Sequence, residues 1–85
     1  MSHVRIDPCP KEPERYVLVR ARGLDDEPFK RFREVVAPFG NYEGGRTAVR
    51  RDVTGALTKK LRAAGIAVWL APVLEAEVAR EGVAP

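Results

Sequence analysis

The stretch that most constrains the fold is RTAVRRDVTGALTKKLRAAGIAVWL, which runs from Arg46 to Leu70. In its first five residues, the β-branched Thr47 and Val49 alternate with other side chains, a pattern typical of a strand. The next segment has apolar residues at helical spacing, namely Val53, Leu57, Leu61 and Ala64. Gly65, a residue type that commonly ends helices, precedes a short apolar run. The stretch therefore predicts a strand–helix–strand unit.

Length and composition limit the rest of the chain. A chain of 85 residues forms one domain and buries about 60–65% of its unfolded surface. With 45% apolar and 32% charged residues, it has the composition of a folded domain. No apolar run approaches the roughly 18 residues that span a bilayer, and no signal-peptide segment is recognisable. We therefore expect a cytoplasmic protein with no membrane partner. Separately, the excess of eleven Arg over four Lys is compatible with a thermophilic source.

The upstream half predicts a strand and a helix. Residues 16–22, YVLVRAR, alternate as a strand does. The acidic residues 25–27 favour a helix start, because negative charge is stabilising at a helix N-terminus. Pro38 crowds the preceding turn, so the helix should end near Ala37, with Gly40 as its left-handed stop.

A hairpin and a last helix complete the predicted elements. The dipeptide Gly44-Gly45 predicts a tight turn that joins a short strand over 41–43 to the strand at 46–50. Pro72 can open a helix over Val73 to Glu81. A helix of this length is unstable alone, so we expect it to dock on the domain.

In chain order these elements are β-α-β-β-α-β followed by a C-terminal helix, the ferredoxin-like or split βαβ order. We therefore predict an α+β fold, a single small domain whose two helices cover one face of a four-stranded antiparallel sheet. It would be a two-layer sandwich with a short C-terminal helix. Residues 1–14 contain three of the seven prolines and are predicted to be an extended or mobile N-terminal arm. The α+β domain would then span 15–71, with the C-terminal helix and tail at 72–85.

The net charge of +3 is distributed unevenly. Residues 15–62 contain twelve Lys or Arg against six Asp or Glu, whereas both ends of the chain are net acidic. A basic folded region attracts phosphate backbones or acidic protein surfaces. The plainer interpretation is a well-mixed, solvated surface.

The two-residue period of strands indicates which side chains share a sheet face. If Val17, Val19 and Val49 face the helices, arginines and aromatic residues share the opposite face. Bases stack on such rings, and guanidinium groups pair with phosphates. The candidate nucleic-acid-binding residues on this face, the hairpin and the basic helix faces are Tyr16, Arg20, Arg22, Tyr42, Arg46, Arg50, Arg51, Lys59, Lys60 and Trp69.

A second interpretation of that face stays open. The C-terminal helix can instead cover Leu18 and Trp69 through Leu74 and Val78, which would give a three-layer core with no exposed surface. The aromatic sequence of a typical RNA-recognition domain is absent.

Catalytic and metal sites are not predicted. His3, Ser2 and Cys9 form no recognisable nucleophile–base pair, since all three lie in the predicted arm. A single Cys and a single His supply no metal-ligand set, so no cofactor and no metal are expected. The sequence predicts a protein that is not an enzyme.

The run FKRFREVVAPFGNYEGGRTAVRRDVTGALTKKLRAAGIAV, from Phe29 to Val68, resembles the XPB damage-recognition-like and HARP-like N-terminal DNA-recognition modules of superfamily 2 helicases. The residues that carry the resemblance are Phe32, Gly40, Tyr42, Leu57, Leu61, Gly65, Ile66 and Val68, over about half the chain. The tryptophan often found in the second hairpin strand of those modules is replaced here by Ala48 or Val49. The resemblance implies contact with the DNA backbone as an accessory to a motor.

The resulting hypothesis is a non-catalytic nucleic-acid-binding module, with DNA favoured over RNA, accessory to a larger protein such as a helicase or polymerase. The alternative is a small protein-interaction or inhibitory protein that docks on a larger partner. A third possibility is a ferredoxin-like sensor of small ligands that oligomerises to form its pocket.

Overall fold

The computed structural model describes residues 3–83, without the side chains of Glu43 and of residues 81–83. Residues 1–2 of the predicted arm and 84–85 of the predicted tail lie outside this range. A 3-10 turn at Arg51–Val53 precedes the second helix. In chain order the elements are β1 His3–Pro8, β2 Tyr16–Arg22, α1 Asp26–Val36, β3 Gly40–Glu43, β4 Arg46–Arg50, α2 Thr54–Ala63, β5 Val68–Leu70 and α3 Pro72–Val83.

The strands form one mixed sheet in the order β3-β4-β2-β1-β5. β1 pairs in parallel with β5, and the other neighbours are antiparallel. From β2 onward the elements follow the predicted β-α-β-β-α-β order, and the α+β fold with a C-terminal helix is confirmed. The architecture is consistent with a ferredoxin-like two-layer sandwich in which β1 is inserted between the first and the last strand of that order.

The predicted N-terminal arm is wrong as a separate segment, and the sheet has five strands rather than four. β1 lies inside the sheet, and its Val4 and Ile6 are fully buried. The reason is the position of the prolines: Pro8 is the last residue of β1, so none of the three removes a donor from the strand interior. The sheet domain therefore begins near residue 3, and not at residue 15.

The core lies between the sheet and the helices. The predicted inward positions Val17, Val19 and Val49 are all fully buried, which confirms that these side chains face the helices. From the helices, Phe32, Leu57, Leu61 and Leu74 join the same apolar cluster. Because one face of each strand is buried in this way, the side chains between these positions are directed to the other side of the sheet.

The β3–β4 hairpin has the predicted Gly44-Gly45 turn, with φ of 62° and 80°. Gly40, in contrast, is not a left-handed helix stop; it is the first residue of β3 and has no positive φ. A Cβ at Gly40 would lie 2.1 Å from the carbonyl oxygen of Ala48, so glycine is required there by the close approach of β4.

α3 lies on the helical side of the molecule. It packs against α2 and β5, and its Leu74 is fully buried in the shared core. The interpretation in which this helix covers Trp69 is therefore wrong, since Trp69 retains 42% of its exposure. No helix among the described residues is long and apolar enough to cross a membrane.

Candidate nucleic-acid interface

The side of the sheet opposite the core has no covering helix in the part of the chain that the structure describes. Even Ala48, whose side chain is a single methyl group, is exposed, and so is Trp69. We call this surface the open face. Its members are Arg5, Asp7, Tyr16, Leu18, Arg20, Arg22, Asn41, Arg46, Ala48, Arg50 and Trp69, and the register also places the positions of His3 and Glu43 on this side.

Four of these residues form one row across the sheet. Arg5 is paired with Arg20 on one side and with Trp69 on the other. Continuing the β2–β4 register by one residue places Arg20 opposite Arg46. Since neighbouring strands lie about 4.8 Å apart, the row Arg46–Arg20–Arg5–Trp69 is about 14 Å long. We call it the arginine row.

Arg5 and Trp69 are already stacked at one end of the arginine row. The Cζ atom of Arg5 lies 4.4 Å from the ring centroid of Trp69. The Nε atom of Arg5 also donates a hydrogen bond of 2.9 Å to Asp7 Oδ2. An exposed ion pair of this kind contributes only about 0–1 kcal/mol, so a phosphate can replace Asp7 at small cost. A base can then stack on the ring or on the guanidinium plane.

A second aromatic–arginine pair lies at the other end of β4. Tyr16 is half-buried and is the cross-strand partner of Arg50. Arg50 Nη2 donates a hydrogen bond of 2.8 Å to Asp52 Oδ2, and both side chains are largely exposed. Arg50 is four positions after Arg46, which is about 14 Å along a strand. The open face thus has a basic side chain near each end of β4.

Three arginines of the open face form no ion pair with any side chain that the structure describes, namely Arg20, Arg22 and Arg46. Arg5 and Arg50 each pair with an aspartate. Like charges directly opposite each other destabilise a sheet, and Arg20 has an arginine on both neighbouring strands. Stability alone does not favour this arrangement, whereas an anionic ligand would.

Tyr42, Lys59 and Lys60 lie away from the open face. Tyr42 is paired with the buried Thr47 and is directed to the helical side, where Arg33 Cζ lies 4.5 Å from its ring centroid. Both lysines are on α2, in the helical layer. A ligand on the open face therefore does not reach these three predicted residues.

Arg51 has a structural role in this fold. Its Nε and Nη2 atoms donate hydrogen bonds of 3.0 and 2.6 Å to Glu77 Oε2, and its Nη1 donates to the carbonyl oxygen of Pro13. Only 19% of its side chain is exposed. Arg51 thus connects the end of β4 to α3 and to the β1–β2 loop, and its guanidinium is not available on the open face.

Arg5 is the member of the arginine row that the sequence reasoning missed. The signal was present, because Val4 and Ile6 alternate with polar residues over His3 to Asp7 in the way that predicts a half-buried strand. The prolines that follow led to the assignment of the whole segment as an arm.

The fold and this surface define a small α+β domain with an open, arginine-rich sheet face. Comparison of the chain with known protein families, with curated protein sequences and with solved structures found no match. The resemblance to helicase-associated DNA-recognition modules therefore stays a prediction.

Proposed function

We propose that this domain binds single-stranded nucleic acid across the open face. The observation that carries the proposal is the arginine row, in which three guanidinium groups on adjacent strands lead to an exposed tryptophan. No helix of the described residues covers this row. Guanidinium groups pair with phosphate oxygens with good geometry, and aromatic rings provide stacking surfaces for bases.

Single strands fit this surface better than duplexes. A base can stack on Trp69 or on the Arg5 guanidinium only if it is unpaired and can leave its neighbours. The phosphates contribute most of the affinity, which should therefore fall with salt. Such contacts imply little sequence preference along the row.

The proposal includes two further points: the bound strand is DNA rather than RNA, and the domain is an accessory to a larger protein such as a helicase or polymerase. Both rest on the resemblance described above and not on the geometry of the open face. The proposed role is non-catalytic: the domain would hold the strand while the larger protein acts on it.

The experiment compares two variants with the same change in charge. Arg20→Gln/Arg46→Gln removes two charges from the arginine row, and Lys59→Gln/Lys60→Gln removes two from the helical layer. Binding of a labelled oligothymidylate is measured by fluorescence anisotropy between about 50 and 200 mM salt. Because each phosphate contact on a single strand contributes a slope of about 0.7 in log affinity against log salt, the arginine variant should lose about 1.4 from the slope.

The lysine variant is the control and should keep nearly the wild-type slope. Equal losses in the two variants would mean that net charge, and not the open face, attracts the strand. Absence of binding by the wild-type chain at about 0.15 M salt would refute the proposal and favour the protein-interaction alternative.

A further inference from the structure

The open face contains a depression next to the arginine row. Its volume is about 620 Å³, and it is lined by Cys9, Leu18, Asn41, Gly44, Arg46 and Ala48. Ala48 contributes only a methyl group to its lining, next to the long side chain of Arg46 on the same face of β4. We call this depression the Ala48 groove.

The lining of the Ala48 groove suits a small planar group with polar edges. Its volume lies within the range of about 300–1,000 Å³ that is usual for small-molecule sites. Leu18, which is only 7% exposed, and Ala48 are cross-strand partners and give it an apolar floor. Asn41 is the partner of Ala48 on β3, and its amide can both donate and accept hydrogen bonds.

The position of the groove matches that of a base beside its own phosphate. Ala48 and Arg46 are two residues apart on one face of β4, which places them about 7 Å from each other. A phosphate held between Arg46 and Arg20 therefore leaves the attached sugar and base over Ala48. No other member of the open face within the described residues has a side chain as small as that of Ala48.

We propose that the Ala48 groove holds one unstacked nucleobase of the bound strand, with its ring on Leu18 and Ala48 and its edge at Asn41. This inference rests on the proposed function, since the phosphate contact at Arg46 positions the base. An asparagine amide pairs in a bidentate manner with adenine, so adenine is the preferred occupant.

The first test fills the groove. Ala48→Ile adds a β-branched side chain that a strand tolerates. Ala56→Ile, at an exposed position of α2, adds the same group to the other layer and is the control. We expect Ala48→Ile to weaken binding of an eight-residue oligodeoxyadenylate at least about fivefold, the loss of one base contact, and Ala56→Ile to leave it unchanged.

The second test needs no variant at the floor of the groove. Asn41 is the only residue with a carboxamide side chain, because the chain has no other Asn and no Gln. Its side-chain amide signal in a ¹⁵N correlation spectrum is therefore unambiguous. It should shift on addition of adenosine 5′-monophosphate but not of ribose 5-phosphate, and Asn41→Ala should weaken oligodeoxyadenylate binding about 2- to 12-fold.

The outcomes separate this inference from the proposed function. If Ala48→Ile and Asn41→Ala bind as the wild type does while Arg20→Gln/Arg46→Gln does not, the groove inference is wrong and the proposed function stands. Wild-type protein that binds no oligonucleotide overturns both. If adenosine 5′-monophosphate saturates the protein but the oligonucleotide does not bind, the inference is also wrong, and the groove is a site for free nucleotides. If Ala48→Ile does not fold, as judged by its circular dichroism spectrum, the chemical-shift change of the Asn41 amide and the affinity of Asn41→Ala test the inference instead.

Discussion

Replacing Ile6 by alanine tests whether β1 belongs to the core. The side chain is fully buried on a strand between β2 and β5. The change removes three carbon atoms, which is about 2.4 kcal/mol of transfer free energy at about 0.8 kcal/mol for each buried carbon. A residual cavity adds to this, so the total loss in the free energy of unfolding should be about 2–5 kcal/mol.

That loss is large for a domain of this size. At about 0.05–0.15 kcal/mol per residue, a chain of 85 residues has a free energy of unfolding of about 4–13 kcal/mol. In small domains each kcal/mol shifts Tm by about 4–8 °C, so a loss of about 3 kcal/mol should lower Tm by about 12–24 °C. Thermal unfolding followed by far-ultraviolet circular dichroism measures the shift directly.

Two further variants keep the Ile6 experiment decisive. Ile6→Val removes one methyl group and should cost about 0.5–1.5 kcal/mol, which remains measurable if the alanine variant does not fold. Lys11→Ala, at an exposed loop position, should change stability by no more than about 0.5 kcal/mol. A Tm for Ile6→Ala within a few degrees of that of Lys11→Ala would show that the segment is an arm after all.

Two other predictions concern the open face and the hairpin. Trp69→Leu should weaken single-strand binding by about 1–3 kcal/mol, which is the contribution of one stacked base, and should weaken duplex binding much less. Fluorescence anisotropy on matched single-stranded and duplex oligonucleotides measures both effects, and an equal effect on the two would exclude stacking. Gly40→Ala should lower the free energy of unfolding by about 1–3 kcal/mol in urea denaturation, because the new Cβ meets the carbonyl oxygen of Ala48. An unchanged midpoint would mean that β3 can move away from β4 at no cost.

Local patterns predicted most of the elements of this fold. The alternation over 16–22 and the glycine pair before Arg46 give β2 and the hairpin at the predicted places. The helical spacing of Leu57 and Leu61 places them in the core. These predictions succeed because strand period, helix period and turn chemistry depend on neighbouring residues alone.

The site was predicted only in part, because position on a face depends on strand pairing. Tyr42 resembles Trp69 in type and exposure, yet the β3 register directs it to the helical side. Arg51 follows Arg50 directly, but its ion pair with Glu77 of α3 joins residues that are 26 positions apart. Neither outcome can be derived from residue type or local spacing.

The sequence by itself determined the helices, the hairpin and the inward and outward positions of β2, β4 and β5, since these follow from periods of two and 3.6 residues. Only the tertiary structure decided that β1 enters the sheet between β2 and β5, and that α3 packs beside α2. The first of these places Arg5 between Arg20 and Trp69, and the second leaves the open face uncovered. Both depend on contacts between segments that are far apart in the chain. The spatial arrangement of these segments is set by burial of a shared apolar core and not by any local pattern.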